Sequence, residues 1–362
     1  MPKLQLRPEW ILNPPNGGPR PLQGLVTLLT AVGEEKNLSA ACRKVGLSYR
    51  HAWGLVRDAS QVLGAPLLRS VRGQGATLSA LGERIVWANK RVAARLSPLL
   101  ESLSSELEAE LRQVSANPTR ALRVQASHAF ALDALRDQVA EAKMPIELRY
   151  TGSAEALASL AQHGCDIAGF HTPIGDLESG VLEHYRKWLK PRTHVLINLV
   201  VRRQGILVAP GNPKRVAGLS DLVRPGVRFV NRQLGSGTRL LLDLMLQRER
   251  MDSRAIAGYD NAEFTHAAVA AYIASGMADA GIGVETAARR FGLAFVPLVQ
   301  ERYFLACHAD ALESRQIKAL LENLRSREFR MRVAELPGIE APSCGNVAPL
   351  TEVFPQLARK PR

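Results

Sequence analysis

Two groups of residues in this 362-residue sequence have the types and spacing to grip negative charge. The first opens with Ser48-Tyr49-Arg50-His51, continues through Arg57, and is followed by Arg69 and Arg72; Ser39, upstream of this group, joins the same polar set. Hydroxyls, guanidinium groups and an imidazole at the start of a helix donate to phosphate oxygens and to base edges, and the positive end of the helix dipole adds to that attraction. The second group is Asn231-Arg-Gln-Leu-Gly235-Ser236-Gly237-Thr238-Arg239. Gly235 and Gly237 let the backbone approach a ligand closely, and N–H groups from Ser236 to Arg239 point at an anion. Ser236 and Thr238 add hydroxyl donors and Arg239 adds a charge. Three other short segments carry the same small, polar chemistry: Ser127-His128, Thr151-Gly152-Ser153 and Phe170-His171-Thr172.

Both groups bind; neither has the parts for turnover. Ser127 and His128 are sequence neighbours, which sends their side chains in different directions and not into a nucleophile–base pair. There is no GxSxG elbow, no HExxH and no acidic metal cluster. The Gly235-to-Leu240 stretch lacks the third glycine of a dinucleotide fingerprint, and no Gly-Lys-Ser/Thr follows it as a phosphate loop would require. No catalytic residue, metal or cofactor is therefore expected. Plainer roles stand beside the binding ones: Thr151 or Ser153 as a helix cap, His128 and His171 as structural histidines, Arg239 as a surface charge, and the basic group as a solvated face. Trp53 is expected in a core.

The elements that must position the first group are helices and one hairpin. Leu22, Leu25, Val26, Leu28 and Leu29 recur at helical spacing. Asn37 or Ser39 can cap a short second helix through Val45, and Gly46 stands where a left-handed residue ends it. Ser48 caps a third helix with an apolar stripe of Ala52, Leu55, Val56, Ala59, Val62 and Leu63. Helix, glycine turn, helix is the helix-turn-helix pattern. After Pro66, Leu67–Arg72 reads as a strand, Gly73-Gln-Gly75 as a turn and Ala76–Ser79 as its return, a basic wing. One long helix then runs from Leu81 to about Val114, and its apolar stripe calls for a coiled contact with a second copy, in a homodimer or homotetramer. Between Lys36 and Arg95 eleven basic residues face only Asp58 and Glu83. The whole chain carries +13, from 47 Lys plus Arg against 34 Asp plus Glu, which points to a polyanionic partner. Ser115-Ala-Asn-Pro-Thr-Arg120 breaks the helix at Pro118 and marks a boundary.

The second half alternates strand candidates (Leu122–Ala126, Ile146–Tyr150, Asp166–Phe170, Leu199–Val208, Val227–Val230, Ala278–Gly283, Leu293–Val299) with helices such as Ala154–Gln162, Arg239–Arg250 and Ala267–Ser275. This is an α/β body with mostly parallel strands, and the hydroxyl-bearing loops lie at the carboxyl ends where such folds bind ligands. The expected organisation is 20–80 as a winged helix-turn-helix, 81–116 as a linker helix and 120–354 as a two-lobed body. No apolar stretch is long enough for a membrane span, and Met1-Pro-Lys-Leu has no apolar signal core, so a cytoplasmic protein is expected.

Leu38-Ser-Ala-Ala-Cys-Arg-Lys-Val-Gly-Leu-Ser-Tyr-Arg-His-Ala-Trp53 resembles the winged helix-turn-helix of the molybdate-responsive ModE regulators, which carry a Gly-Ile-Ser-Tyr-Lys-x-Ala-Trp turn. Leu63-Gly-Ala-Pro-Leu-Leu-Arg69 with Thr77-Leu-Ser-Ala-Leu-Gly82 is similar to the LysR-type wing. Arg203–Pro213, Phe229–Arg239 and Ala278–Gly283 resemble the type II periplasmic-binding-protein-like domain found fused to ModE-type domains and to molybdopterin-biosynthesis proteins. The resemblance implies a dimeric, promoter-binding regulator of double-stranded DNA. It implies lobes near 121–197 plus 294–354 and near 198–293, and a pocket at Gly235–Arg239. No segment resembles the molybdate-binding tail of ModE, so molybdate, tungstate, sulfate and formate all stay open as effector. A molybdenum-cofactor enzyme or an oxyanion-binding protein with a DNA-binding appendage is the alternative.

Overall fold

The computed structural model describes residues 3–14, 17–71, 75–114 and 120–358. Arg72 of the expected wing and the expected boundary segment 115–119 lie outside them. The chain forms two compact units, one of residues 7–96 and one of residues 97–358 with 3–6.

The first unit opens with a short ribbon, β1 (Ile11–Leu12) paired to β2 (Arg20–Pro21). Three helices follow, α1 (Gln23–Glu35), α2 (Leu38–Val45) and α3 (Tyr49–Leu63), then the hairpin β3 (Leu68–Val71) and β4 (Gly75–Leu78), and the start of α4 (Ala80–Gln113). Local chemistry sets the turn. Asn37 Oδ1 accepts from the Ala40 N–H at 3.1 Å and starts α2, so the cap is Asn37 and not Ser39. Gly46 ends α2 at φ 71°, and Ser48 Oγ accepts from the His51 N–H at 3.2 Å to start α3. Leu28, Leu29, Val32, Leu38, Ala41, Ala52, Val56 and Leu67 close the core beneath. Trp53 is not part of it, contrary to expectation. The buried positions of α3 are Ala52, Val56 and Ala59, and one residue past Ala52 rotates Trp53 about 100° off that stripe, leaving it 41% exposed.

The second unit comprises β5 (Leu122–Ala126), α5 (Phe130–Glu141), β6 (Ile146–Tyr150), α6 (Ser153–Ala161), β7 (Ile167–Pro173), α7 (Glu178–Tyr185) and β8 (His194–Val208). It continues through β9 (Phe229–Arg232), α8 (Gly237–Arg248), β10 (Ala262–Glu263), α9 (His266–Ala274), β11 (Ala280–Val284), α10 (Glu285–Arg290) and β12 (Ala294–His308). It closes with α11 (Arg315–Arg325), α12 (Arg327–Ala334), β13 (Ile339–Glu340), β14 (Val347–Pro349) and α13 (Leu350–Val353). One sheet runs β10-β9-β11-β8-β12-β7-β5-β6, with β13 and β14 also on β8.

This is a mixed sheet, not the mostly parallel one expected. The runs β6-β5-β7 and β10-β9-β11 are parallel. The two 15-residue strands β8 and β12 pair antiparallel to each other, and they join a first lobe built on β5–β7 to a second built on β9–β11. β12 continues past the expected end at Val299, through Gln300-Glu301-Arg302 to His308. A polar triplet reads as loop, but here Glu301 is fully buried because two side chains satisfy it. The part of α4 in this unit covers the sheet edge: Ser105 Oγ accepts from the Leu148 N–H at 2.8 Å and Ser102 Oγ from the Tyr150 N–H at 3.0 Å, so edge strand β6 is not left open. Among the described residues no helix is long and apolar enough to cross a membrane.

Candidate nucleic-acid interface and anion site

In the first unit, Ser48, Tyr49, Arg50, His51 and Arg57 present their side chains at the surface on and before α3. Ser39 on α2 and Arg69 on β3 are exposed as well. Tyr49 and Trp53 meet edge to face at 6.3 Å on the same exposed side. Arg57 reaches Asp58 at 3.3 Å, an exposed pair that costs little to release. An open groove of about 1380 Å³ follows α3, lined by Ser48, Arg50, His51, Trp53 and Arg57 with Ala65–Leu68 opposite. The apolar stripe of Ala52, Val56 and Ala59 holds α3 from behind while its opening turn presents polar groups.

In the second unit, several of the small polar segments converge. The α8 opening lies against the loop before α6: a Cβ on Gly152 would stand 3.2 Å from the Gly235 carbonyl oxygen. A Cβ on Gly237 would stand 2.6 Å from His171 Cε1, 2.8 Å from Nε2 and 3.1 Å from the Tyr185 hydroxyl. Only glycine permits that approach. Ser236 and Thr238 are buried there, and Ser236 Oγ is spent as the N-cap, accepting from the Arg239 N–H at 3.2 Å. Neither Thr151 nor Ser153 caps α6, whose cap position is Gly152; both hydroxyls are buried without a hydrogen-bond partner among the described residues. Ser127 Oγ and Tyr303 OH lie 3.1 Å apart, and the Tyr303 hydroxyl donates to the Ser127 carbonyl at 2.6 Å. Arg239 turns back on its own helix, donating to Asp243 at 3.0 Å and stacking over Tyr259 at 4.2 Å.

Behind these loops is a charged cluster that sequence reasoning missed. Glu301 is fully buried on β12. It accepts from Arg202 Nε at 2.8 Å and faces His171 Nδ1 at 3.0 Å. Burial alone would push its carboxyl up, but His171 and Arg202 hold it at about 2. Arg232, 6% exposed at the end of β9, donates from Nη2 to the Phe264 carbonyl at 2.8 Å. Burial, then the charge of Arg202, push Arg232 down to about 9. Among the described residues, Arg202 Nη2, Arg232 Nε, His128 Nδ1, His266 Nδ1 and both polar atoms of the Gln204 side chain are buried without a hydrogen-bond partner. Burial pushes His171, His128 and His266 down, and His266 is depressed further by Arg232 and Arg202. Buried polar atoms are normally paired, and a concentration of orphaned polar atoms that includes N–H donors of two guanidinium groups is an arrangement suited to an oxyanion. A signal was present in the sequence: Arg202-Arg203-Gln204 stands between the apolar stretches Leu199–Val201 and Ile206–Val208, and a charge inside a buried strand needs a partner.

The family model of the PBP superfamily domain matches residues 133–325. The chain belongs to the PBP superfamily. It is 34% identical over 221 residues to the uncharacterized protein YvgK of Bacillus subtilis strain 168, covering 60% of this chain and 70% of that one. It is 34% identical over 110 residues to the molybdenum-pterin-binding protein MopB of Rhodobacter capsulatus, 29% of this chain and 40% of MopB. Among solved structures, an H2O2-bound mutant of Corynebacterium glutamicum OxyR matches 87% of this chain and 94% of its own, with 16% identity and a TM-score of 0.44.

Proposed function

We propose that this PBP-superfamily chain is a cytoplasmic DNA-binding transcription regulator whose two-lobed body senses a small anion. The observation that carries the reading is the pair of buried, incompletely paired guanidinium groups, Arg202 and Arg232, in a chain that also bears an exposed basic helix-turn-helix. Ser48, Tyr49, Arg50, His51 and Arg57 face DNA, with Ser39, Arg69 and Arg72 on its backbone. The ModE likeness of residues 38–53 supports that role. The effector lies among Gly152–Ser153, His171, Gly235–Thr238, Arg202 and Arg232, near His128, with Ser127, Thr151 and Arg239 in supporting positions. Similarity to a molybdenum-pterin-binding protein favours molybdate as the first oxyanion to try.

Two copies join along α4. Leu99, Leu103, Leu107 and Leu111 recur every four residues and are 40 to 56% exposed, the stripe that a second helix covers. Effector and DNA communicate only through a difference in effector affinity between two arrangements of the protein. The test is a thermal-shift panel of molybdate, tungstate, sulfate and formate on the full chain. An effector at 100 times its Kd adds about 2.7 kcal/mol, and Arg232→Gln removes the response. A panel without any shift refutes the sensor.

A further inference from the structure

Position 54, in the middle of α3, holds a residue that the fold does not require. Glycine inside a helix is less stable than alanine, because its backbone has more freedom to lose and it packs nothing. Gly54 is not at a turn: α3 runs unbroken from Tyr49 to Leu63, and its φ is not in the left-handed region. Unlike Gly152 and Gly237, it is not pressed against a neighbour; a Cβ on Gly54 would meet nothing within 4 Å among the described residues. Successive helical residues turn by about 100°, so Gly54 stands about 200° from Ala52, opposite the buried stripe of Ala52, Val56 and Ala59. Arg50 and Arg57 fall on the same outer row, four residues before it and three after it, and Trp53 borders that row. The outer face of α3 is thus a bare stretch of backbone between two guanidinium groups, with an exposed indole at its edge, and all four residues line the groove along the helix.

A partner that uses this face comes close to the helix axis at Gly54, carries negative charge on either side of it and offers the indole something apolar. The major groove of B-DNA has these three properties. It admits an α-helix, its walls are phosphate, and the apolar group on its floor is the 5-methyl of thymine. Trp53 is fixed for such a contact by Tyr49, which meets it edge to face at 6.3 Å, and covering the exposed ring removes apolar surface from water. Resting on the DNA-binding reading above, we infer that α3 enters the major groove by this row, with its backbone at Gly54 against the base edges and Trp53 on a thymine methyl. Gly54 and Trp53 then determine sequence specificity, and the missing side chain at position 54 is a loss of helix stability that DNA contact offsets.

Fluorescence anisotropy of the full chain tests this on labelled DNA from upstream of the protein's own gene, made once with thymine and once with uracil in every thymine's place, at physiological salt with and without molybdate. Uracil pairs as thymine does and lacks only the methyl. Wild type should bind the uracil duplex at least about fourfold more weakly, the worth of one buried methyl, and Trp53→Ala should bind both duplexes alike. Gly54→Ala should bind the thymine duplex at least about fivefold more weakly, since its methyl intrudes on the contact, while calorimetry finds the 7–96 unit melting about 2–8 °C higher. Weaker binding by a more stable protein is a result that a merely structural glycine does not give. Equal affinity of wild type for the two duplexes, discrimination that survives Trp53→Ala, or a Gly54→Ala variant that binds like wild type or melts below it overturns the inference and leaves the DNA-binding regulator standing. Failure of the folded wild type to bind the thymine duplex, with molybdate or without, overturns both.

Discussion

Replacing Glu301 with Gln removes a buried negative charge from the cluster while keeping the side chain's shape. Glu301 is fully buried and engages His171 at 3.0 Å and Arg202 at 2.8 Å. A carboxyl held at about 2 in place of its ordinary 4.5 contributes about 3 kcal/mol at neutral pH, since each unit by which its pKa is lowered is worth about 1.4 kcal/mol. Breaking a buried ion pair by removing one partner costs about 3–5 kcal/mol, on the same scale. Glu301→Gln should therefore destabilise the 97–358 unit by about 3 kcal/mol at pH 7 and lower its Tm by about 6–12 °C. The sign of the pH dependence follows from the depressed pKa. The carboxylate's contribution is complete above its unfolded value and is lost as pH falls toward 2. Wild type and variant should thus converge between about pH 5 and pH 2. Differential scanning calorimetry across that range is the assay. A variant within about 1 kcal/mol of wild type at pH 7, or a gap that does not narrow in acid, refutes the electrostatic account of the cluster.

Other outcomes follow from single contacts. Gly237→Ala puts a methyl 2.6 Å from His171 Cε1, which should cost about 1–3 kcal/mol by urea unfolding and weaken anion binding by displacing the ring. Arg50→Ala should lower the slope of log affinity against log salt for DNA by about 0.9 if Arg50 meets one phosphate, read by fluorescence anisotropy; an unchanged slope and affinity remove it from the interface. His194, buried and crowded by His308 and Lys190, is pushed down to about 4. The unfolded chain binds that proton first, so stability should fall as pH drops from about 6.5 to 4. His194→Gln should flatten this part of the calorimetric pH profile.

The winged helix-turn-helix was legible because its signals are local. Asn37, Gly46 and Ser48 act within four residues of themselves, and the α3 stripe repeats at helical spacing. Trp53 was misplaced because residue type outweighed its angle on the helix. In the α/β body, element types were readable but strand direction was not. β8 and β12 run antiparallel because they cross between lobes, a long-range fact that no short window contains. Gly152, His171 and Gly237 were legible as parts of small polar segments, with close approach expected at Gly235 and Gly237; the structure brings Gly237 against His171 and Gly152 against Gly235, but His171 lies inside β7 and not in the loop expected after Phe170, because the strand runs on to Pro173. Arg202, Arg232, Glu301 and His266 were not, because each sits in a short polar stretch that reads as loop or surface, and they meet only where separate strands come together. Arg239, legible from its place beside the glycine turn, carries an ion pair that the sequence reading did not give it, with Asp243 one helical turn away.

Anisotropy of labelled DNA from upstream of the protein's own gene, with and without the anion that shifts its thermal stability, tests the central claim most directly when wild type is set beside Arg232→Gln. The account predicts that the anion changes DNA affinity of the wild type several-fold and leaves the variant unmoved, while the two bind equally without anion. An anion effect of the same size in both proteins, or in neither, would contradict it.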